Sequence, residues 1–151
     1  MLYGWQDYGD AEIFSDDNPD GCKGDSAPLG TLVATANAFH VASYFVRAGE
    51  SMLGVSVEGS SNVRAYASTY LGGCALLIFN LDEADAIGAT ISIDGQAYGP
   101  GGTVVTYDKK LYDNSQQGIW SAPLVTPLPG WSGNLTVTLP PWSMTAIQVT
   151  P

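Results

Sequence analysis

Two groups of side chains in this sequence could do chemistry: aromatics set among amides, and a run of carboxylates. Trp5, Tyr8, Tyr112, Trp120 and Trp131 fall outside the clear strand patterns, beside Gln6, Asp7, Asn114, Gln116 and Gln117. Sugar rings present apolar C–H faces, and rigid aromatic planes receive them at little entropic cost. Two or three such planes in a row, with Asn, Gln or Asp catching hydroxyls, would bind a glycan of cellulose, β-glucan or hemicellulose type. Trp5, Tyr8, Tyr112, Trp120, Trp131 and Gln116 are therefore the candidate carbohydrate-binding residues. The alternative, that these rings cap the ends of a hydrophobic core, stands beside that reading for each of them. Trp142 follows two prolines and enters a strand pattern, so it is expected to be structural.

The carboxylates lie in Asp16-Asp17-Asn18-Pro19-Asp20-Gly21. Oxygen ligands two residues apart, closed by a Gly turn, match the first half of a calcium loop. Asp16, Asn18 and Asp20 are the candidate metal ligands, and calcium the cofactor they would hold. The second half of that pattern fails: Ala27 stands where a bidentate Glu belongs, and only Asp25 could substitute. The alternative is a solvated turn. His40 is the only histidine and lies mid-helix beside Phe39 and Val41; without a G-x-S-x-G motif a triad has no support. Cys22 and Cys74 have no metal-type spacing. In an oxidising compartment they could pair, adding roughly 4 kcal/mol in the chain-entropy model; two separate thiols are the equal alternative.

The elements that must position these residues follow from length and periodicity. A chain of 151 residues fits one domain and can bury an adequate core. Aliphatic and aromatic residues make up 45% and charged residues only 13%, which argues for a folded chain with a neutral, hydroxyl-covered surface. Fifteen acidic against five basic side chains give a net charge of −10. Nucleic acid and anionic membranes are disfavoured as partners, because both require a basic footprint. No segment approaches the ~20 apolar residues of a membrane span. The opening Met1-Leu2-Tyr3-Gly4-Trp5 lacks the basic start and apolar run of a signal peptide. A secreted parent would carry its signal upstream.

One helix is predicted over 32–47, where Leu32, Ala36, Phe39, Ala42 and Val46 recur at helical spacing. Thr31 would cap its start and Ala48-Gly49 close its end, with Arg47 in the last turn. Beyond Gly49 the period changes to two. Strands are predicted over 52–57, 63–69, 75–80, 90–94, 103–108, 135–139 and 145–149, with Gly-, Asn- and Pro-rich turns between them. Residues 109–134 read as a long loop carrying Trp120 and Trp131, and a loop of that length is often functional. The predicted fold class is mainly β: an antiparallel β-sandwich with one α-helix near the N-terminus.

Several runs resemble a known family. Ser43-Tyr44-Phe45-Val46-Arg47-Ala48-Gly49-Glu50, then Asn62-Val63-Arg64-Ala65-Tyr66-Ala67, then Ala75-Leu76-Leu77-Ile78-Phe79-Asn80-Leu81-Asp82, resemble the junction between the last barrel helix and the C-terminal β-sandwich of clan A glycoside hydrolases. Leu139-Pro140-Pro141-Trp142-Ser143-Met144-Thr145 is similar to the closing strand of that sandwich. Tyr107-Asp108-Lys109-Lys110 through Trp120-Ser121-Ala122-Pro123 also resembles these domains, and Gly4-Trp5-Gln6-Asp7-Tyr8-Gly9-Asp10 resembles the eighth barrel strand and its loop. The resemblance implies that 1–50 are the remnant of a barrel end packed on a sandwich of 51–151, together one compact domain. It also implies that a residue at the position of Trp5 once stacked under the sugar.

The departure from the family matters as much. Such a barrel needs about 250 residues, and retaining hydrolysis needs two carboxyl groups about 5 Å apart. The family's catalytic glutamates lie on barrel strands absent from this chain, and Glu12, Glu50, Glu58 and Glu83 sit in no matching motif. The leading expectation is a non-catalytic carbohydrate-binding module of a secreted plant-polysaccharide-degrading enzyme. The alternative is a structural sandwich that braces a hydrolase barrel and has no glycan affinity; it predicts buried tryptophans and an exposed apolar patch. A hydrolase in its own right would require a carboxylate pair such as Asp7 with Asp10 or Glu12. A polysaccharide or oligosaccharide is the expected partner, and a homodimer could form by exchange of the first strand and helix.

Overall fold

The computed structural model describes residues 33–94, 98, 99 and 101–149. Among them the chain is mainly β, and the strand pairs are antiparallel, as the period-two patterning requires. Helix α1 (Ala34–Ser43) precedes strands β1 (Met52–Leu53), β2 (Val63–Tyr70), β3 (Gly73–Asn80), β4 (Ile87–Ile91), β5 (Tyr98–Gly99) and β6 (Gly102–Tyr107). A second helix, α2 (Lys109–Ser115), is followed by β7 (Leu124–Leu128), β8 (Trp131–Ser132), β9 (Leu135–Leu139) and β10 (Ser143–Val149). Six strands form one sheet in the order β1-β2-β3-β10-β6-β7, while β4 pairs with β9 and β5 with β8. No described helix is long and apolar enough to cross a membrane.

Strand β3 explains the layering. Its residues are apolar in succession, so both of its faces must be covered. Cys74, Leu76 and Ile78 point into one core with Ile147, Val149, Leu135 and Leu139. Ala75 and Leu77 point into the other, with Val41 and Phe45 from and just beyond α1, and with Val105 and Ala146. The six-stranded sheet therefore lies between α1 on one face and the β4–β9 pair on the other. Each large side chain so buried stabilises the fold by about 1.5–3 kcal/mol. Cys74 is a buried free thiol, and desolvation pushes its pKa up; Cys22 lies outside the described residues.

Several predicted boundaries move. Helix α1 stops at Ser43, four residues short of the predicted end, and the carbonyls just beyond it are taken by tertiary partners. Ser68 Oγ donates to the Phe45 carbonyl at 2.7 Å and Gln148 Nε2 to the Tyr44 carbonyl at 2.8 Å. Arg47 is not in a helical turn; its guanidinium lies 4.7 Å from the centroid of the Tyr70 ring, a cation–π contact. The N-cap is Val33, without a side-chain cap, and Thr31 lies outside the described residues. Strand β4 runs over 87–91 rather than 90–94, since Ile87, Ala89 and Ile91 find Leu139, Val137 and Leu135 opposite. Strand β1 keeps only two of its six predicted residues.

The largest correction concerns 109–134. It is not a loop but holds α2, β7 and β8, so the chain has two described helices rather than one. Asp108 Oδ1 accepts the Leu111 amide at 2.9 Å and caps α2. Gly118, at φ +78°, ends the helical stretch. Strand β7 contains Pro127, a residue that argues against a central strand; it is tolerated because β7 is an edge, where a missing amide breaks no ladder on the outer side.

Candidate functional site

The structure disperses the described aromatic candidates. Tyr112 and Gln116 occupy successive turns at α2, both exposed, with the Gln116 amide bonded to the Tyr112 carbonyl at 3.1 Å. Trp120 follows α2 and is half-buried; its indole nitrogen is buried without a hydrogen-bond partner. Next to it, the Ser121 carbonyl accepts from Asn37 Nδ2 of α1 at 3.4 Å. Trp131 opens β8 on the other side of the large sheet, packed against the core under β4 and β9. Its ring lies on Gly99: a Cβ placed there would stand 1.9 Å from Trp131 Cη2. Tyr112, Gln116 and Trp120 thus cluster around α2, while Trp131 is spent on packing. Trp5, Tyr8 and the calcium candidates Asp16, Asn18 and Asp20 lie outside the described residues, among which no group of three His, Cys, Asp or Glu could hold a metal ion.

A different aromatic group comes forward. On the face of the sheet that carries α1, Tyr66 and Phe79 meet edge-to-face, ring centroids 6.2 Å apart at 89°. Tyr66 is 47% exposed, because α1 covers the other side of that face. At the same end of the sheet Trp142 enters β10 from the Pro140-Pro141 turn. It was expected to be structural, yet it is 48% exposed. Its φ of +43° is costly for a bulky residue. The contact that holds it there is its amide donating to the Asp82 carbonyl at 2.7 Å. Leu81 and, on α1, Phe39 are also exposed. The signal in the sequence was the Leu-Pro-Pro-Trp run itself: two prolines force a turn, and the residue after them inherits a turn geometry rather than a strand interior.

The turn that presents Trp142 is held by one amide side chain. Asn80 is fully buried at the end of β3. Its Nδ2 donates to the carbonyls of Asp85 at 2.9 Å, Pro140 at 2.9 Å and Leu139 at 3.2 Å, and its Oδ1 accepts the Asp82 amide at 3.0 Å. Asp82 in turn accepts the amides of Ala84 and Asp85 and the Asn62 side chain. The backbone amides of Asp85 and Ala84 hold its carboxyl below the ordinary value, the direction opposite to that of a general acid.

Nearby, a wide-open depression of about 360 Å³ is lined by Glu83, Asp108, Lys109, Lys110, Asp113 and Pro141. Two of its three carboxylates are engaged. Asp108 caps α2, and Asp113 pairs with Lys109 at 2.7 Å. Two cations among three anions leave it nearly neutral, and it has none of the enclosure that makes acid–base chemistry effective.

No family model and no curated protein matches the chain. Solved structures do. A glycoside hydrolase family 30 endoxylanase from Clostridium papyrosolvens is 19% identical, over 78% of this chain and 28% of its own, with a TM-score of 0.58. A family 44 xyloglucanase from Paenibacillus polymyxa is 25% identical, over 60% of this chain and 16% of its own, at 0.48. An α-L-arabinofuranosidase from Thermotoga maritima is 18% identical, over 64% and 21%, at 0.46. This chain therefore spans under a third of the length of each. The endoxylanase match carries the fold: the mainly β, antiparallel architecture seen here occurs as a part of a polysaccharide-degrading enzyme.

Proposed function

We propose that this chain is a non-catalytic accessory β-sandwich of a secreted polysaccharide-degrading enzyme, equivalent to the C-terminal domain of clan A glycoside hydrolases. Its task is to brace the remainder of such an enzyme. The observation that carries this reading is the exposure of two large rings: Tyr66, which meets the half-buried Phe79 edge-to-face on the side of the sheet that carries α1, and Trp142 at the start of β10. Exposed rings at the end of a sheet face, next to a helix packed on that same face, suit a domain–domain contact more than a glycan platform. The inward packing of Trp131 supports the same reading. In this view 1–50 belong to the barrel end and 51–151 to the sandwich.

A second reading is favoured by Tyr112. It stands exposed on α2 with Gln116 one turn on, close to the polar depression beside Asp113, the kind of pairing that catches a sugar ring and its hydroxyls. Titration calorimetry against cellopentaose, xyloglucan, mixed-linkage β-glucan, xylan and mannan, with calcium and with chelator, separates the two. The bracing reading expects no saturable heat with any of them. It also expects a bright signal from a hydrophobic dye that dims in Tyr66→Ser and Trp142→Ser. Saturable heat that disappears in Tyr112→Ala would replace it with a carbohydrate-binding module.

A further inference from the structure

The sequence writes a longer strand at β1 than the fold uses. Leu53, Val55 and Val57 alternate with Gly54 and Ser56, a period-two pattern. Pairing with β2 nevertheless covers only Met52 opposite Ser68 and Leu53 opposite Ala67. Past Leu53 the chain runs on through Glu58 with no strand partner among the described residues, and Leu53, Val55 and Val57 are each over 40% exposed. Ala67 faces the core between the two sheets, so Leu53 opposite it lies on that same side, and a strand continued beyond Leu53 would set Val55 and Val57 there by alternation. The other edge of the large sheet is guarded by Pro127 in β7. The β1 edge carries no proline and no charge from Ser51 to Val57. Proteins ordinarily protect edges in these ways against pairing with another chain.

We infer that the 53–57 edge is a self-association surface, on which a second copy of this chain pairs antiparallel across a two-fold axis. An isologous contact requires a self-complementary segment, and this one is. With Val55 on the axis, Leu53 of each copy stands opposite Val57 of the other, and the three positions form one apolar cross-strand ladder. Gly54 meets Ser56 on the opposite face. Charge also permits the register. The chain carries −10 overall, yet Glu58 falls opposite Met52 and Glu50 opposite Ser60, so no carboxylates face each other. The contact extends the existing β1–β2 ladder, and its apolar positions lie on the opposite face of the sheet from Tyr66.

Sedimentation equilibrium on the intact chain over a wide concentration range tests this. The expected result is a reversible monomer–dimer equilibrium. Val55→Lys sets like charges against each other on the axis and weakens it at least about tenfold. Val55 is exposed, so at concentrations low enough for both proteins to be monomeric the circular dichroism and thermal midpoint of the variant match wild type. Tyr66→Ser with Trp142→Ser leaves the dimer intact. Amides of 54–58 are protected from hydrogen exchange in the wild type and lose that protection in Val55→Lys. A wild type that stays monomeric overturns the inference, and protected 54–58 amides in such a monomer would assign the edge to this chain's own residues. A dimer that survives Val55→Lys but dissociates with Tyr66→Ser and Trp142→Ser overturns it in favour of the aromatic face. Polydisperse aggregates overturn it in favour of unspecific edge pairing.

Discussion

Replacement of Asn80 tests whether one buried amide holds together the end of the molecule that presents Trp142. The side chain joins three separate stretches: the end of β3, the 81–86 loop and the turn after β9. Asn80→Ala removes four contacts made by a residue with no exposed surface. Two amide hydrogens shared among three carbonyls, plus one accepted bond, amount to about three full hydrogen bonds. At about 1 kcal/mol net each, the expected loss is about 3 kcal/mol. For a domain of this size each kcal/mol lowers Tm by roughly 2–4 °C, so the midpoint falls by roughly 6–12 °C. Asn80→Asp is expected to be at least as damaging at neutral pH, because a carboxylate faces three carbonyl oxygens with no proton to give. That carboxyl has a folded pKa raised above its unfolded value. Its charge penalty is therefore full above that raised value, eases as the pH falls through it and the group regains a donor, and is gone below the ordinary carboxylate range. Thermal unfolding followed by tryptophan fluorescence at neutral and acid pH measures both. A midpoint within about 2 °C of wild type for Asn80→Ala would refute the assignment, as would an Asn80→Asp penalty that does not depend on pH.

Gly99→Ala places a methyl carbon on the Trp131 ring, and overpacking of this kind is expected to cost about 1–3 kcal/mol; urea unfolding that matches wild type would show that the ring moves freely. Asp82 has a folded pKa below its unfolded one, owing first to the amides of Asp85 and Ala84. Its contribution is complete above the ordinary carboxylate range and is lost as the pH falls through the lowered value. The urea midpoint of Asp82→Asn should decline less than that of wild type on acidification, and parallel acid limbs would contradict this. Burial raises the Cys74 thiol, so a thiol reagent should modify Cys74 only as fast as the protein opens. Rapid reaction at that residue in the folded state, located by mass spectrometry, would contradict its placement.

Much of the fold was legible because it depends on local alternation. Leu135, Val137 and Leu139 against Thr136 and Thr138 defined β9 to the residue, and the uniform apolarity of 75–79 marked β3 as a central strand. Helix α2 was missed although its signals were present: Asp108 before Lys109-Lys110-Leu111 is a cap, and Gly118 a stop. Its seven residues carry one apolar position turned inward, Leu111, too few for a periodicity to emerge. Pro127 hid β7, since an edge cannot be distinguished from a loop before the neighbouring strands are known. The end of α1 was illegible for a related reason: the groups that take the carbonyls just past it, Ser68 and Gln148, come from strands 23 and 104 positions away in sequence.

The candidate site divides along the same line. Residue types announced an aromatic, acidic chain whose four glutamates sit in no matching catalytic motif, and the resemblance pointed to hydrolase accessory domains; both rest on composition and short runs that need no coordinates. Which rings are free to meet a partner was decided only by packing. Trp131 and Trp142 have similar local sequences, Leu-Pro-Gly-Trp-Ser and Leu-Pro-Pro-Trp-Ser, each beside a turn and at the start of strand structure. One lies on Gly99 under the smaller sheet, while the other is turned outward by a backbone bond to Asp82. Exposure is a property of what the rest of the chain brings to the opposite side of a residue. Sequence periodicity reports which side of a strand a residue occupies, and only the stacking of α1, the six-stranded sheet and the β4–β9 pair determines whether that side is covered.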